Sequence, residues 1–187
     1  LLMILLVSHI QAFEKYQAKS AWTWEHQALI KARPIAGDIR LKSRFERIRE
    51  KVLACRRVKG ELQKRIAGMR ERMRKELFRH EAGVFDLKQG AGGIVDIEFL
   101  VQYLMLLRSN EHKKLIKWTD NVRIIRALLE TGIIDGYTAH VLRHAYLVYR
   151  SLGHQLSLQE KPAKIPENDF LDLRKKIKEI WNFFIEG

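Results

Sequence analysis

The chain has 187 residues, 47% of them hydrophobic and 30% charged, with a formal net charge of +13 and a pI near 10.0. This length and apolar content predict one soluble, folded domain with a substantial core. Because residues 1–7 (LLMILLV) are too few to cross a bilayer and lack the basic segment of a signal peptide, neither a membrane span nor a secretory leader is expected.

The first seven residues differ from the rest of the chain. An apolar run without an initiator methionine indicates a strand that belongs to a preceding domain, so the predicted division is a remnant at 1–7 and a helical domain at 8–187. The single cysteine, Cys55, cannot form an internal disulfide, which fits a reducing cytoplasm. Its expected role is packing.

Two short helices are predicted next. Ser8 is a candidate cap for the first helix. The second is expected at 21–33, because Pro34 disfavours helical geometry in the residue before it. Gly37 and Asp38 then provide a turn and a cap for a third helix.

The third and fourth helices fall in a basic stretch at 42–79, where fifteen Lys and Arg against five Glu supply +10 of the net charge. Apolar residues recur there at spacings of three and four, which predicts two helices with narrow packing stripes that turn near Gly60. These residues are Phe45, Ile48, Val52, Cys55, Leu62, Ile66, Met69, Met73 and Leu77. Two interpretations of the charges are open, a solvent-facing surface or a surface that binds a polyanion.

The rest of the chain also has helical periodicity. An apolar helix is predicted at 94–107, a helix at 121–131 capped by Asp120, and a long helix from a cap at Asp135 to about residue 158. The last helix carries apolar residues at spacings of three and four, namely Phe170, Leu173, Ile177, Ile180 and Phe184. The sequence thus predicts an all-α fold, a bundle of seven to nine helices with one orphan strand at the N-terminus.

A glycine-rich loop precedes the apolar helix, with Gly90, Gly92 and Gly93 after Lys88. Such glycines permit close approach of another group, and the helix that follows offers free backbone N–H groups and the positive end of its dipole. A phosphate near Lys88 is one interpretation. The alternative is a sharp connection whose glycines satisfy geometry and whose lysine faces water.

Three polar residues on the apolar helix are candidates for shaping a site. Asp96 in the first turn either caps the helix, or accepts hydrogen bonds from a sugar or positions a partner. Glu98 and Gln102 share one stripe, and Glu98 needs donors in so apolar a helix. The candidate donors are Arg33, His26, Arg123 and Arg150, and a buried structural ion pair is the alternative.

The predicted helix at 21–33 presents a second cluster. Glu25 and Arg33 are expected on one side of the helix and Trp24 on another. Two tryptophans within three residues are typical of core packing, and Glu25 with Arg33 fits a structural network. The functional interpretation is that Arg33 points at phosphate oxygens of a ligand, since a guanidinium suits phosphate geometry.

Four segments together resemble the glutamine synthetase adenylyltransferase family, whose members attach AMP to glutamine synthetase and remove it. The segments are TWEHQALIKARPIAGD at 23–38, FDLKQGAGGIVDIEFLVQYL at 85–104, KWTDNVRIIRALLETGII at 117–134 and YRSLGHQLSLQE at 149–160. The resemblance is to the C-terminal, adenylylating half of the family. The glycine segment alone is also similar to one in the uridylyltransferases that modify the PII signalling protein.

The resemblance implies a function that is located partly outside this chain. In the family, an upstream nucleotidyltransferase domain carries the aspartates that hold Mg²⁺ and act on ATP. This chain lacks that sequence, so it is expected to hold no catalytic residue or metal site, to bind no cofactor alone and to be inactive by itself. Glutamine synthetase, PII and the upstream domain are the implied partners, in the cytoplasm.

The implied site combines two groups of residues. Lys88, Gly90, Gly92, Gly93 and Arg33 are assigned near nucleotide or phosphate, and Trp24, Glu25, Asp96, Glu98 and Gln102 are assigned to its shape. Two alternatives are a docking or regulatory module for glutamine synthetase or PII and, less favoured, a basic module that binds nucleic acid.

Overall fold

The computed structural model describes residues 8–187, which form eight α-helices and one small sheet. The helices are α1 Ile10–Lys19, α2 Thr23–Lys31, α3 Ile39–Leu53, α4 Lys59–Leu77, α5 Ile94–Arg108, α6 Asn121–Glu130, α7 Gly136–Leu158 and α8 Leu171–Trp181. A 3₁₀ turn at Lys113–Lys117 precedes α6, and a π-helical turn at Asn182–Glu186 follows α8. The predicted all-helical bundle is confirmed, while the strand predicted at 1–7 lies outside the described residues.

Local signals fix several helix starts as predicted. The carboxylates of Asp38, Asp120 and Asp135 accept backbone N–H groups in the first turns of α3, α6 and α7. These bonds satisfy donors that have no partner within the helix. The cap predicted at Ser8 is wrong, because α1 begins at Ile10 after His9 and has no side-chain cap.

A two-stranded antiparallel sheet is the element that the sequence did not predict. Strand β1, Val84–Asp86, pairs with β2, Lys164–Pro166, and Phe85 lies opposite Ile165. Three residues are too few to display an alternating pattern, so only the pairing of distant segments reveals these strands. The sheet joins the segment before the glycine loop to the connector before α8.

Helix α5 lies at the centre of the bundle. It contacts α2, α4, α6, α7 and α8, and nine of its fifteen residues are buried. Its apolar residues cover almost every side, as expected for a helix surrounded by others. The candidate site residues near its N-terminus, Asp96 and Glu98, are therefore held by a helix that is packed on most sides.

The basic stretch mostly faces solvent, with two buried exceptions. The guanidinium of Arg49 donates to the carbonyl oxygens of Leu29, Ile30 and Ile116, at 2.8–3.0 Å. It thereby pairs carbonyl oxygens of the last turn of α2 that have no donor within the helix. Burial lowers the pKa of Arg49. The other exception is Arg70, at the glycine loop.

Cys55 is exposed, so its expected packing role is wrong, because α3 ends at Leu53, two residues before it.

No helix among residues 8–187 combines the length and the apolar character that crossing a membrane requires.

Tyr149 gives the fold a predicted sensitivity to alkaline pH. Burial raises its pKa from 10.0 to about 12, and its hydroxyl has no hydrogen-bond partner within the described structure. The unfolded chain therefore loses this proton first, and the free energy of unfolding falls as the pH rises from 10 towards 12. We compare the free energy of unfolding of Tyr149→Phe with that of the parent chain. This difference is expected to shift in favour of the variant by about 1 kcal/mol when the pH is raised from 8 to 11.

Urea unfolding at both pH values measures this change. Tyr137→Phe is the matched control, since Tyr137 lies on the same helix and is 58% exposed. A stability difference between Tyr149→Phe and the parent chain that is the same at pH 8 and pH 11 would contradict the assignment.

Candidate functional site

The backbone donors of the glycine loop are engaged within the loop itself. The N–H groups of Lys88 and Gln89 donate to the Asp86 carboxylate at 2.8 and 2.9 Å. Further along, Gly93 N–H donates to the carbonyl of Gly90, and Ile94 N–H donates to that of Leu87, both at 2.9 Å. The expectation of free N–H groups that bind an anion is therefore wrong for these positions, because the loop uses them to close its own turns.

The glycines are required by close backbone approach. A Cβ on Gly90 would lie 2.5 Å from the carbonyl oxygen of Asp86, and one on Gly93 would lie 2.8 Å from the carbonyl oxygen of Leu87. Gly92 has φ +83° and would place a Cβ 2.6 Å from the backbone oxygen of Arg174 on α8. The loop is thus a compact connection between β1 and α5.

Asp96 anchors this loop to α4. Its carboxylate accepts Arg70 Nε at 2.6 Å, Arg74 at 3.0 Å and the Gly92 N–H at 2.7 Å. The side chains of Arg70 and Asp96 are only 1% and 4% exposed. The other two guanidinium nitrogens of Arg70 donate to Gln89, Nη1 to the side-chain Oε1 and Nη2 to the backbone carbonyl oxygen. Asp96 therefore has only internal contacts and no opening for a sugar.

A cavity of about 590 Å³ lies beside the loop, and we call it the polar cavity. Helices α5 and α7 form its walls, and the end of α2 and the start of α6 complete it. Its lining residues are Lys31, Lys88, Ile94, Val95, Glu98, Thr119, Asp120, Asn121, Tyr146, Arg150, Gly153, His154 and Ser157.

Glu98 is the hydrogen-bonding centre of the polar cavity. Its Oε1 accepts Lys31 Nζ at 2.7 Å, Asn121 Nδ2 at 3.0 Å and the Tyr146 hydroxyl at 3.2 Å. The donors predicted from the sequence, Arg33, His26, Arg123 and Arg150, are wrong. With its side chain 24% exposed, Glu98 faces the cavity and orients residues from three helices.

Two cations in the polar cavity are available to an anionic ligand. Lys88 and Arg150 are exposed and form no salt bridge with any carboxylate within residues 8–187. The guanidinium of Arg150 lies 5.6 Å from the Tyr146 ring centroid, which limits its movement. Asn121 is 2% exposed, and its buried Oδ1 lacks a partner in the described part of the chain. The cavity therefore offers positive charge from Lys88 and Arg150, whereas the Asn121 oxygen is inaccessible to solvent.

The other predicted site residues lie elsewhere. Arg33 follows the end of α2 and lines a separate hollow of about 300 Å³ with Phe13 and Phe45. Glu25 accepts the Tyr16 hydroxyl at 2.7 Å and the Trp22 N–H at 2.8 Å, so it caps α2 and does not pair with Arg33.

Trp24 and Gln102 line an open trough between α2, α4 and α5, which we call the tryptophan groove. It contains Trp22, Trp24, Gln27, Lys31, Met69, Arg72, Met73, Glu76, Leu77, Phe99 and Gln102. The expected core packing of the tryptophans is wrong, since Trp22 is 67% exposed and Trp24 is 52% exposed. Of the assigned site residues, Lys88 and Glu98 thus share the polar cavity, while Trp24, Gln102 and Arg33 lie outside it.

No group of three or more His, Cys, Asp or Glu that could hold a metal ion occurs among residues 8–187.

Comparison with known families covers most of the chain. The family model described as Glutamate-ammonia ligase adenylyltransferase matches residues 4–48, and the one described as GlnD PII-uridylyltransferase matches residues 43–171. A bifunctional glutamine synthetase adenylyltransferase/adenylyl-removing enzyme of Shewanella loihica is 47% identical over 163 residues, or 87% of this chain. The chain belongs to the glutamine synthetase adenylyltransferase family.

Other relatives carry the same name. Those from Methylococcus capsulatus and Nitrosococcus oceani are 43% and 40% identical over 98% and 97% of this chain. The chain spans less than a fifth of their length, 19% in both cases and 17% for the Shewanella loihica protein. The match to the GlnD PII-uridylyltransferase model indicates that this helical region is common to the adenylyltransferase family and to the uridylyltransferases.

The family-like segments meet at the polar cavity. Of its thirteen lining residues, all but Tyr146 belong to the four segments that carry the resemblance. Sequence reasoning missed Lys31, Asn121, Arg150 and His154 as site residues, although each lies in one of those segments. The available signal was the position of these residues in the segments that carry the resemblance.

Proposed function

We propose that this chain is the helical region of an enzyme that transfers AMP from ATP to a tyrosine of glutamine synthetase, and that the polar cavity flanks its active site. The observation that carries the proposal is the meeting of four family-like segments around Lys88 and Arg150, neither of which is neutralised by a carboxylate among the described residues. Charge-assisted bonds from such cations stabilise phosphate oxygens. In this role Glu98 fixes Lys31, Asn121 and Tyr146, and Lys88 faces the nucleotide.

The described residues do not fit the Mg²⁺ that the family uses. They include no group of carboxylates placed to hold a metal ion, and Asp96 is already bonded to Arg70 and Arg74. The proposal assigns the ion and the catalytic carboxylates to an upstream nucleotidyltransferase domain, which is the first partner of this region. The 187 residues alone are expected to be inactive and to bind neither ATP nor Mg²⁺, and the whole enzyme is placed in the cytoplasm.

A second candidate function is docking or regulation. The exposed cations of α3 and α4, among them Lys51, Lys64 and Arg72, favour an acidic protein partner. Glutamine synthetase and PII are the candidates, because the relatives and the matching family model are named for them. Charge reversal at Lys51 and Lys64 is then expected to weaken partner binding without changing the affinity for nucleotide.

Lys88→Ala in the full-length enzyme tests the first proposal. Removing one charge-assisted contact to phosphate is expected to lower kcat/KM for ATP by about ten- to a hundredfold, measured as magnesium-dependent transfer of labelled AMP to glutamine synthetase. Arg150→Ala is expected to act in the same direction. The fold should persist, because both side chains are exposed.

The matched control is Lys175→Ala, an exposed lysine on α8 outside the polar cavity. Its kcat/KM should equal that of the parent enzyme. Unchanged transfer rates in Lys88→Ala and Arg150→Ala, with folding verified by circular dichroism, would remove the polar cavity from the chemistry.

A further inference from the structure

The tryptophan groove is a large apolar surface that the proposed chemistry does not use. Its volume is about 760 Å³, and a second hollow of about 410 Å³ shares Trp22, Trp24, Met69 and Arg72 with it. Exposed tryptophans together with methionines are typical of protein contact surfaces, where such side chains supply much of the binding energy. The groove is therefore a candidate interaction surface.

The packing stripe of α4 runs directly into this groove. Leu62 and Ile66 at the N-terminal half of the stripe are buried in the core. Met69, Met73 and Leu77 continue the same stripe at spacings of three and four, yet the two methionines are only half-buried and Leu77 is 53% exposed. The C-terminal half of the amphipathic face of α4 is thus only partly covered by the described part of the chain.

A buried amide pair forms the floor of the groove. Gln27 is 4% exposed and donates its Nε2 to Gln102 Oε1 at 3.0 Å. The Oε1 of Gln27 has no hydrogen-bond partner among residues 8–187, but it is inaccessible to solvent and offers nothing to a ligand in the groove. The surface available to an occupant is therefore mainly apolar, from the tryptophans and methionines that line the groove.

Charge and position define the occupant further. The rim of the groove carries both signs of charge. Arg72 and Glu76 line it and form no salt bridge within the described residues, while Arg65 in the adjoining hollow lies 4.0 Å from Glu61. A segment with an apolar anchor and a carboxylate that meets Arg72 complements this rim. Lys31 lines both the tryptophan groove and the polar cavity, so a chain lying in the groove leads towards the candidate active site.

We propose that the tryptophan groove holds a segment of the protein substrate, glutamine synthetase, beside the residue that is modified. This inference rests on the proposed adenylyltransferase function. The open shape of the trough suits a polypeptide better than a small ligand, which is usually enclosed on most sides. The groove then acts as a docking site that raises the affinity for the protein substrate and has no part in the reaction with ATP.

The test uses the full-length enzyme with Trp22→Ala and Trp24→Ala combined. The expected result is a KM for glutamine synthetase that rises about tenfold or more, because truncating buried interface tryptophans weakens binding strongly. The KM for ATP and the kcat should stay unchanged. Phe183→Ala, which removes a 74% exposed aromatic side chain outside the groove, is the matched control.

Two substitutions at Arg72 test the contribution of its charge. Arg72→Glu is expected to raise the KM for glutamine synthetase severalfold, and Arg72→Lys is expected to leave it nearly unchanged. An unchanged KM in the double tryptophan variant, an equal rise in the KM for ATP, or an effect seen only when PII is added would each overturn the inference. If the parent enzyme transfers no AMP to glutamine synthetase, the proposed function itself fails. If the parent enzyme transfers AMP normally and the groove variants behave like the parent, then the docking inference alone fails.

Discussion

Asp96→Ala is expected to destabilise the fold by about 3–5 kcal/mol, the usual effect of removing one partner from a buried ion pair. The substitution leaves the guanidinium of Arg70, which is 1% exposed, without its carboxylate. It also removes the acceptor of the Gly92 N–H, so the glycine loop loses its bond to α5. Urea unfolding of the chain, followed by circular dichroism, measures the loss.

Asp120→Ala is the matched control for this substitution. Asp120 also accepts a backbone N–H at the start of a helix, but its side chain is 47% exposed and its salt bridge to Arg123 is on the surface. Loss of this cap is expected to cost about 1 kcal/mol. If Asp96→Ala destabilises the chain no more than Asp120→Ala does, then the buried pair does not hold the loop to α4.

A double-mutant cycle separates the pair from its surroundings. Arg70→Met removes the buried charge while it retains an unbranched apolar side chain. In the background of Arg70→Met, the additional loss from Asp96→Ala should be smaller by at least 1 kcal/mol than in the parent chain, because no uncompensated guanidinium then remains. Strict additivity of the two losses would mean that Arg70 and Asp96 act independently.

The sequence predicted the helices because their signals are local. Spacings of three and four identified α3, α4 and α8, and the carboxylates of Asp38, Asp120 and Asp135 marked helix starts that the structure confirms. The strands β1 and β2 escaped prediction since their pairing joins residues about eighty positions apart. Arg49 and Arg70 likewise look like the other cations of the basic stretch. Only the tertiary structure reveals that these two are buried against carbonyl oxygens and a carboxylate.

The site was only partly predictable for the same reason. Lys88 and Glu98, which both line the polar cavity, could be proposed from the sequence because Lys88 precedes a glycine loop and Glu98 is a carboxylate within an apolar helix. Arg33 was assigned to phosphate on the assumption that α2 extends to residue 33, but the helix ends at Lys31 and turns Arg33 towards another hollow. Lys31 lies inside both the predicted and the observed helix, and it reaches Glu98, 67 residues away in the sequence. Such a long-range contact leaves no local signal in the sequence.

The sequence left two roles open for the glycines of the loop, close approach of a ligand or the geometry of a sharp connection, and the structure shows them packed closely against the chain itself. Gly92→Ala is expected to destabilise the fold by about 3 kcal/mol or more, the sum of two separate effects. An alanine at φ +83° is strained by about 1–2 kcal/mol. Its Cβ would also lie 2.6 Å from the backbone oxygen of Arg174, so α8 must shift, and such overpacking typically costs about 1–3 kcal/mol.

Two other glycines separate these effects in the same urea-unfolding experiment. Gly83 has φ +75° with nothing near its would-be Cβ, so Gly83→Ala should show the backbone strain alone. Gly68 lies inside α4 with open space around it, and Gly68→Ala should stabilise the chain by about 0.5–1 kcal/mol, because alanine favours a helix. Equal losses in Gly92→Ala and Gly83→Ala would show that α8 yields without resistance. A larger loss in Gly92→Ala would mean that contact with α8 fixes the shape of the loop and, through Lys88, one wall of the polar cavity.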